Sequence, residues 1–158
     1  YEKVFEKYPH SELTIVGDGP ELENLRQQAT RSVAKDKIRF VGGVYTPFEL
    51  GRYMKESSLY VLAGMGGLSI NDAMCYGLPV ICSVCDGTEK DLVENGKNGY
   101  FFDEGDANDV AGKIMMVLSN NDKRQQMGQE SLHIIRKKIN INTIVENYYH
   151  IFKSVLEK

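Results

Sequence analysis

Residues 64–81 read GMGGLSINDAMCYGLPVI, and the order of residue types within them decides the fold. An apolar run, LYVLA at 59–63, comes just before and reads as a buried strand. A glycine-rich turn follows, then a helix that starts at Leu68 and Ser69 and runs to Tyr76, then a second strand, PVIC at 79–82. A strand, a turn and an open helix N-terminus make a site for an anion. First-turn N–H groups have no acceptor inside the helix, and the helix dipole favours negative charge there. Gly66 and Gly67 let a ligand approach the backbone closely. Asp72 lies one turn inside the helix, where its carboxylate accepts hydrogen bonds from a diol.

Outward from this block, strand and helix alternate. Residues 1–8 read as the end of a helix with Val4 and Phe5 on its apolar side, and LTIV at 13–16 as a short strand. GDGP at 17–20 is a turn whose Pro20 suits the start of a helix carrying Leu22, Leu25, Ala29 and Val33 on one face. IRFV at 38–41 is a strand ended by Gly42 and Gly43, and residues 47–55 are helical. Downstream come a short helix around 90–94, a turn at Asn95-Gly96 and a strand at 99–102. The last third is amphipathic helix. Residues 106–118 turn Val110, Ile114, Val117 and Leu118 inward. Residues 122–138 turn Met127, Leu132 and Ile135 inward, and residues 141–156 place Ile144, Tyr148, Ile151, Phe152 and Val155 on one side. The alternation predicts one α/β domain over 1–158, a Rossmann-like parallel sheet with helices on both faces. Ligands bind at the carboxyl ends of such strands, and the turns at Gly17, Gly42 and Gly64 all follow strands.

Composition bounds the function. A chain of 158 residues supports a single core, and 42% hydrophobic with 26% charged residues is ordinary globular usage. The net charge of −3 leaves no basic footprint for nucleic acid. No apolar run approaches the ~18 residues of a membrane span. Cys75, Cys82 and Cys85 are an odd number, which suits a reducing compartment and predicts a cytoplasmic protein. Cys82 and Cys85 form a C-x-x-C, but Cys75 and Cys82 read as small buried hydrophobes. Zinc wants four ligands, and His10, His133 and His150 are scattered, so no metal and no cofactor are expected. Nothing around any serine resembles G-x-S-x-G. GDGP lacks the third glycine of a dinucleotide fingerprint, since Leu22 stands in its place, so Gly17, Asp18 and Gly19 read first as a tight turn. FVGGV at 40–44 reads equally as a strand end with two flexible glycines.

The 64–81 block resembles that of the retaining glycosyltransferases of family 4 (group 1), sugar-nucleotide enzymes of the GT-B fold. Their pattern is roughly E-G-F-G-L-S-L-L-E-A-M-A-x-G-x-P-V-I. Leu68, Ser69, Ala73, Met74, Gly77, Pro79, Val80 and Ile81 fall in place. Of its two acids, the first falls on Gly64, which has no carboxylate, and the second on Asp72, one methylene shorter than glutamate. Further matches follow in chain order. GDGP resembles the family's G-x-G-P turn, and FVGGV its F-x-G-x-V segment. GTEKDLV at 87–93 is similar to G-G-x-P-E-I-V, with Asp91 on the acid. NGKNG at 95–99 matches the next turn, and RQQMG at 124–128 resembles L-R-x-x-M-G.

The resemblance implies the C-terminal, donor-binding half of a GT-B protein. The first strand of that half and the acceptor-binding N-terminal domain would lie outside the chain, which alone would hold no complete active site and be inactive. The implied chemistry is hexosyl transfer, with retention and without a metal, from a nucleotide-diphosphate sugar to a saccharide or lipid-linked acceptor. Polysaccharide or glycolipid assembly in the cytoplasm is the expected setting, with peripheral membrane association of the full-length protein. Backbone N–H groups of Gly67, Leu68 and Ser69 would stabilise the departing diphosphate. Asp72 would hold the ribose hydroxyls, Val44 and Tyr45 would read the nucleobase edge, and Gly17, Asp18, Gly19 and Gly66 complete the implied donor site. Gly64 stands where the family grips the sugar with a carboxylate, so no catalytic residue is assigned. The alternative is a non-catalytic GT-B relative that binds a nucleotide or a protein; a GT-B epimerase fits the motif order less well. Residues 141–156 would reach back to the absent domain, and alone they expose an apolar strip that predicts self-association.

Overall fold

The computed structural model describes residues 1–65, 67–85 and 87–157. Its strands are β1 (Leu13–Val16), β2 (Ile38–Gly42), β3 (Tyr60–Leu62), β4 (Val80–Ser83) and β5 (Gly99–Phe102). Its helices are α1 (Glu2–Lys7), α2 (Leu22–Thr30), α3 (Pro47–Glu56), α4 (Leu68–Cys75), α5 (Glu89–Leu92), α6 (Ala107–Leu118), α7 (Asn121–Lys138) and α8 (Ile141–Leu156).

β4 shows why the sheet is covered on both faces. All four of its residues are buried, and side chains alternate across a strand. Val80 and Cys82 join Ile70 and Met74 of α4, Leu92 of α5, Val93 and Ile134 of α7. Ile81 points the other way, among Tyr100 and Phe102 of β5, Val117 of α6 and Met127 of α7. Backbone contact is close around this strand. A Cβ on Gly99 would run into the Val80 carbonyl, and one on Gly128 of α7 into the carbonyl of Gly77, just past α4.

Among the described residues every ladder is parallel, in two sheets: β1 with β2, and β3–β4–β5 in that order. The expected buried strand at 59–63 is shorter and less covered. β3 spans Tyr60–Leu62, pairs on one side only and is half-buried.

Other expectations change at the periphery. α2 starts at Leu22 rather than Pro20 and ends at Thr30, so Val33 is outside it and exposed, and no residue of α2 is buried. α8 is regular and capped by Asn140, yet none of its residues is buried; its apolar side faces solvent. Cys82 is buried as expected, but Cys75 is exposed, because it lies on the side of α4 away from Ile70 and Met74. Among the described residues no helix is long and apolar enough to cross a membrane.

Candidate functional site

The site begins with an uncapped helix. α3, α6, α7 and α8 each have an N-cap side chain, from Thr46, Asp106, Asn120 and Asn140, that accepts a first-turn N–H. α4 has Gly67 there, in extended backbone, with no side-chain cap and no acid in its first turn. Among the described residues nothing accepts from the N–H groups of Leu68 and Ser69. These donors stand at the carboxyl end of β3, where the helix dipole adds positive potential.

Asp72 lies one turn on, exposed, and Ser69 is half-buried beside it. Beneath them is Tyr60 of β3. Burial pushes its phenol up, the neighbouring Ser69 hydroxyl pulls it down, and the Asp72 and Cys82 charges raise it again. The Cys75 thiol, although exposed, is raised by partial desolvation and then by Asp72. Ser69 and Asp72, three positions apart, share one side of α4.

Gly64, at the turn between β3 and α4, has φ +110, a conformation that L residues rarely adopt. Its N–H donates to Ser83 Oγ at 2.9 Å, and Ser83 is fully buried at the end of β4. The loop after β4 has its own anchor in Glu89, 1% exposed. Its carboxylate accepts the N–H of Cys85 at 3.0 Å and that of Gly87 at 3.2 Å to each oxygen. Burial, and then the Glu89 charge, pushes the Cys82 thiol up to about 12.

The remaining predicted residues lie at the ends of β1 and β2. The Gly17 N–H donates to the Gly42 carbonyl at 2.8 Å, closing β1 against β2. Asp18 accepts the Gly19 N–H at 2.8 Å, and both are exposed. Val44 is half-buried, while Tyr45 is 87% exposed with its ring over Gly43. Two groups result: Gly17, Asp18, Gly19, Val44 and Tyr45 at the β1–β2 end, and Gly64, Gly67, Leu68, Ser69 and Asp72 at the β3–β4 end. No hydrogen bond between described residues joins them. Gly66 lies outside the described residues.

Asp91 lies on the short helix α5. It is exposed, and Glu89 is the buried carboxylate. Glu89 and Ser83 are functional candidates that the motif reading missed. A signal for Glu89 was present, since it precedes the apolar Leu92 by three positions and so shares its helix face. An open cavity of about 950 Å³ lies at the far end of α4, lined by Tyr76, Gly77 and polar residues of α7 such as Gln125, Gln129 and His133. It is remote from the uncapped N-terminus. Among the described residues no three of His, Cys, Asp and Glu come together as metal ligands.

The profile of the family Glycosyl transferases group 1 matches residues 1–133. The chain belongs to the group 1 glycosyltransferases. An N-acetyl-alpha-D-glucosaminyl L-malate synthase of Bacillus anthracis is 27% identical over 149 residues, covering 92% of this chain and 38% of that protein. An uncharacterized glycosyltransferase of Haemophilus influenzae is 26% identical over 94% of this chain and 42% of its own length. The chain thus spans about two fifths of the length of these two relatives. Among solved structures, the pneumococcal O-GlcNAc transferase GtfA in complex with UDP and GlcNAc superposes with a TM-score of 0.79 at 21% identity, over 99% of this chain and 32% of that one. Such likeness shows the fold, that of GT-B C-terminal domains.

Proposed function

We propose that this chain is the donor-binding part of a retaining glycosyltransferase and that it holds a nucleotide-diphosphate sugar at the N-terminus of α4. One observation carries the reading: an uncapped helix end whose first N–H groups find no acceptor among the described residues, at the carboxyl end of a parallel strand, with an exposed carboxylate one turn further on. The N–H groups of Gly67, Leu68 and Ser69 receive the diphosphate, and Asp72 accepts the two ribose hydroxyls. Val44 and Tyr45 meet the base edge. In the reaction the bond from the anomeric carbon to the diphosphate oxygen breaks and one to an acceptor hydroxyl forms, with loss of the hydroxyl proton. Fixed N–H dipoles stabilise the charge that develops on the diphosphate, and the proposal needs no resident metal. The relatives support a uridine nucleotide and an N-acetylglucosamine-type sugar as first candidates, since one is named for N-acetylglucosaminyl transfer and another was solved with UDP and GlcNAc. The acceptor, a saccharide or a lipid-linked one, binds outside this chain, in a cytoplasmic setting.

Gly64 favours a second reading, a non-catalytic GT-B relative, because the acid of the family pattern is absent there. Calorimetry with UDP, GDP, UDP-glucose and UDP-N-acetylglucosamine separates the two. The donor-site reading expects binding of one nucleotide series, weakened about 10- to 100-fold in Asp72→Ala by loss of charge-assisted hydrogen bonds. No binding of any nucleotide would favour the second reading.

A further inference from the structure

The open cavity at the far end of α4 has walls of one chemistry. Its volume is about 950 Å³, and Tyr76, Gly77 and Gln125 line both it and a smaller one of about 230 Å³. α4 has eight residues, which sets this end about 12 Å from the uncapped N-terminus. The floor is largely backbone: Gly128 of α7 rests on the Gly77 carbonyl, and Leu132 lies against Gly77. The wall is one side of α7, where Asp122, Gln125, Gln126, Gln129 and His133 fall three and four positions apart. Other polar side chains of α7 are committed. Lys123 donates to the Tyr100 hydroxyl, Arg124 donates to Asn121, and Glu130 pairs with Lys97. The side chains of Gln125, Gln126, Gln129 and His133 make no hydrogen bond among the described residues.

We propose that this cavity binds an uncharged saccharide, at a site separate from the α4 N-terminus. Each glutamine amide both donates and accepts, and a neutral imidazole does so through its two nitrogens, as the hydroxyls of a sugar require. The Tyr76 ring is 38% exposed, with its hydroxyl against Gly51 of α3. It offers an aromatic wall to the apolar C–H face of a pyranose. The volume lies near the top of the ~300–1,000 Å³ of small-molecule sites, which suits several linked rings. Other ligands fit less well. Among the described residues no Lys or Arg lines the larger cavity, while Asp122 and Glu130 do, which disfavours phosphates and nucleotides. Leu132 is its one large aliphatic side chain, too little for a lipid. Glu130 is already paired with Lys97, so a cationic peptide would meet only Asp122. The site holds a saccharide and performs no chemistry on it.

The test titrates the labelled chain with tri-N-acetylchitotriose, maltotriose and trilysine and follows amide chemical shifts. One or both saccharides should bind at millimolar concentration and shift Gly77, Gln125, Gly128 and Gln129, while trilysine leaves them in place. Gln125 and Gln129 are exposed, so alanine at either keeps the fold. Gln125→Ala and Gln129→Ala should each weaken the saccharide about three- to tenfold, as for one lost neutral hydrogen bond. Saccharide shifts that are absent or lie elsewhere on the chain would overturn the inference. So would binding that both alanine variants leave unchanged, or shifts here with trilysine alone, which would mark a surface for a cationic peptide.

Discussion

Gly64→Glu restores the acid of the family pattern and tests why a glycine stands there. A Cβ at this position meets nothing within 4 Å, so space is not the obstacle. The backbone is: at φ +110 a side chain is strained. A non-glycine residue in a sparsely populated region costs about 1–3 kcal/mol. Reduced entropy of the unfolded chain returns roughly 0.4–1 kcal/mol of that. The net loss is about 1–2 kcal/mol, a fall of about 0.5–1 M in the urea midpoint for a domain of this size. Gly64→Ala should lose as much, because the cost lies in φ and not in the carboxylate. Urea denaturation followed by circular dichroism measures both, and calorimetry with UDP-glucose should show no gain for the glutamate. If Gly64→Glu proved as stable as the unsubstituted chain and bound UDP-glucose more tightly, the backbone argument would be refuted and the position would be a carboxylate site that this chain has lost.

Gly128→Ala sets a Cβ against the Gly77 carbonyl, where α7 meets the end of α4, and backbone cannot yield there as a side chain would. It should cost about 2–3 kcal/mol and lower the thermal midpoint by roughly 5–10 °C in calorimetry. Acid should weaken the C-terminal part first. Glu94 is held below the ordinary carboxylate range by Lys138 and then Lys97, and Asp106 by the N–H groups of Asp109 and Asn108. Carboxylates lowered in the folded state stabilise it above their unfolded pKa, so the urea midpoint should hold from pH 7 to 5 and fall below about pH 4. The exposed apolar side of α8, with Tyr148, Ile151, Phe152 and Val155, should drive self-association seen by light scattering and relieved by Phe152→Glu; a clean monomer at high concentration would count against it.

Much of the fold was legible because the strands and helices are locally consistent. PVI at 79–81 is short, apolar and bounded by turn residues, and it becomes the central buried strand β4. The glycine-rich turn before Leu68 led to a helix without a side-chain cap, as its residues suggested. What periodicity could not supply was the tertiary neighbourhood. LYVLA at 59–63 is as apolar as the β4 segment, yet β3 is half-buried, because a strand's burial depends on which strands flank it. Val33 continues the apolar face of α2 in sequence, but the chain has left the helix by then. The site was read through the side chains that a ligand would touch, which led to Asp72. Ser83 and Glu89 act one layer below, through N–H groups of loops whose path the sequence does not reveal, and three charged residues in a row at 89–91 do not say which of them turns inward.

The central claim is that the α4 N-terminus and Asp72 hold a nucleotide-diphosphate sugar. Amide chemical shifts of the labelled chain, titrated with UDP, GDP and their sugar conjugates and repeated on Asp72→Ala, test it most directly. The account predicts shifts at Gly67, Leu68 and Ser69 together with Val44 and Tyr45 for one nucleotide series, lost or strongly weakened in Asp72→Ala. Shifts confined to other surfaces, such as the cavity at Tyr76 and Gln129, or none with any nucleotide, would contradict it.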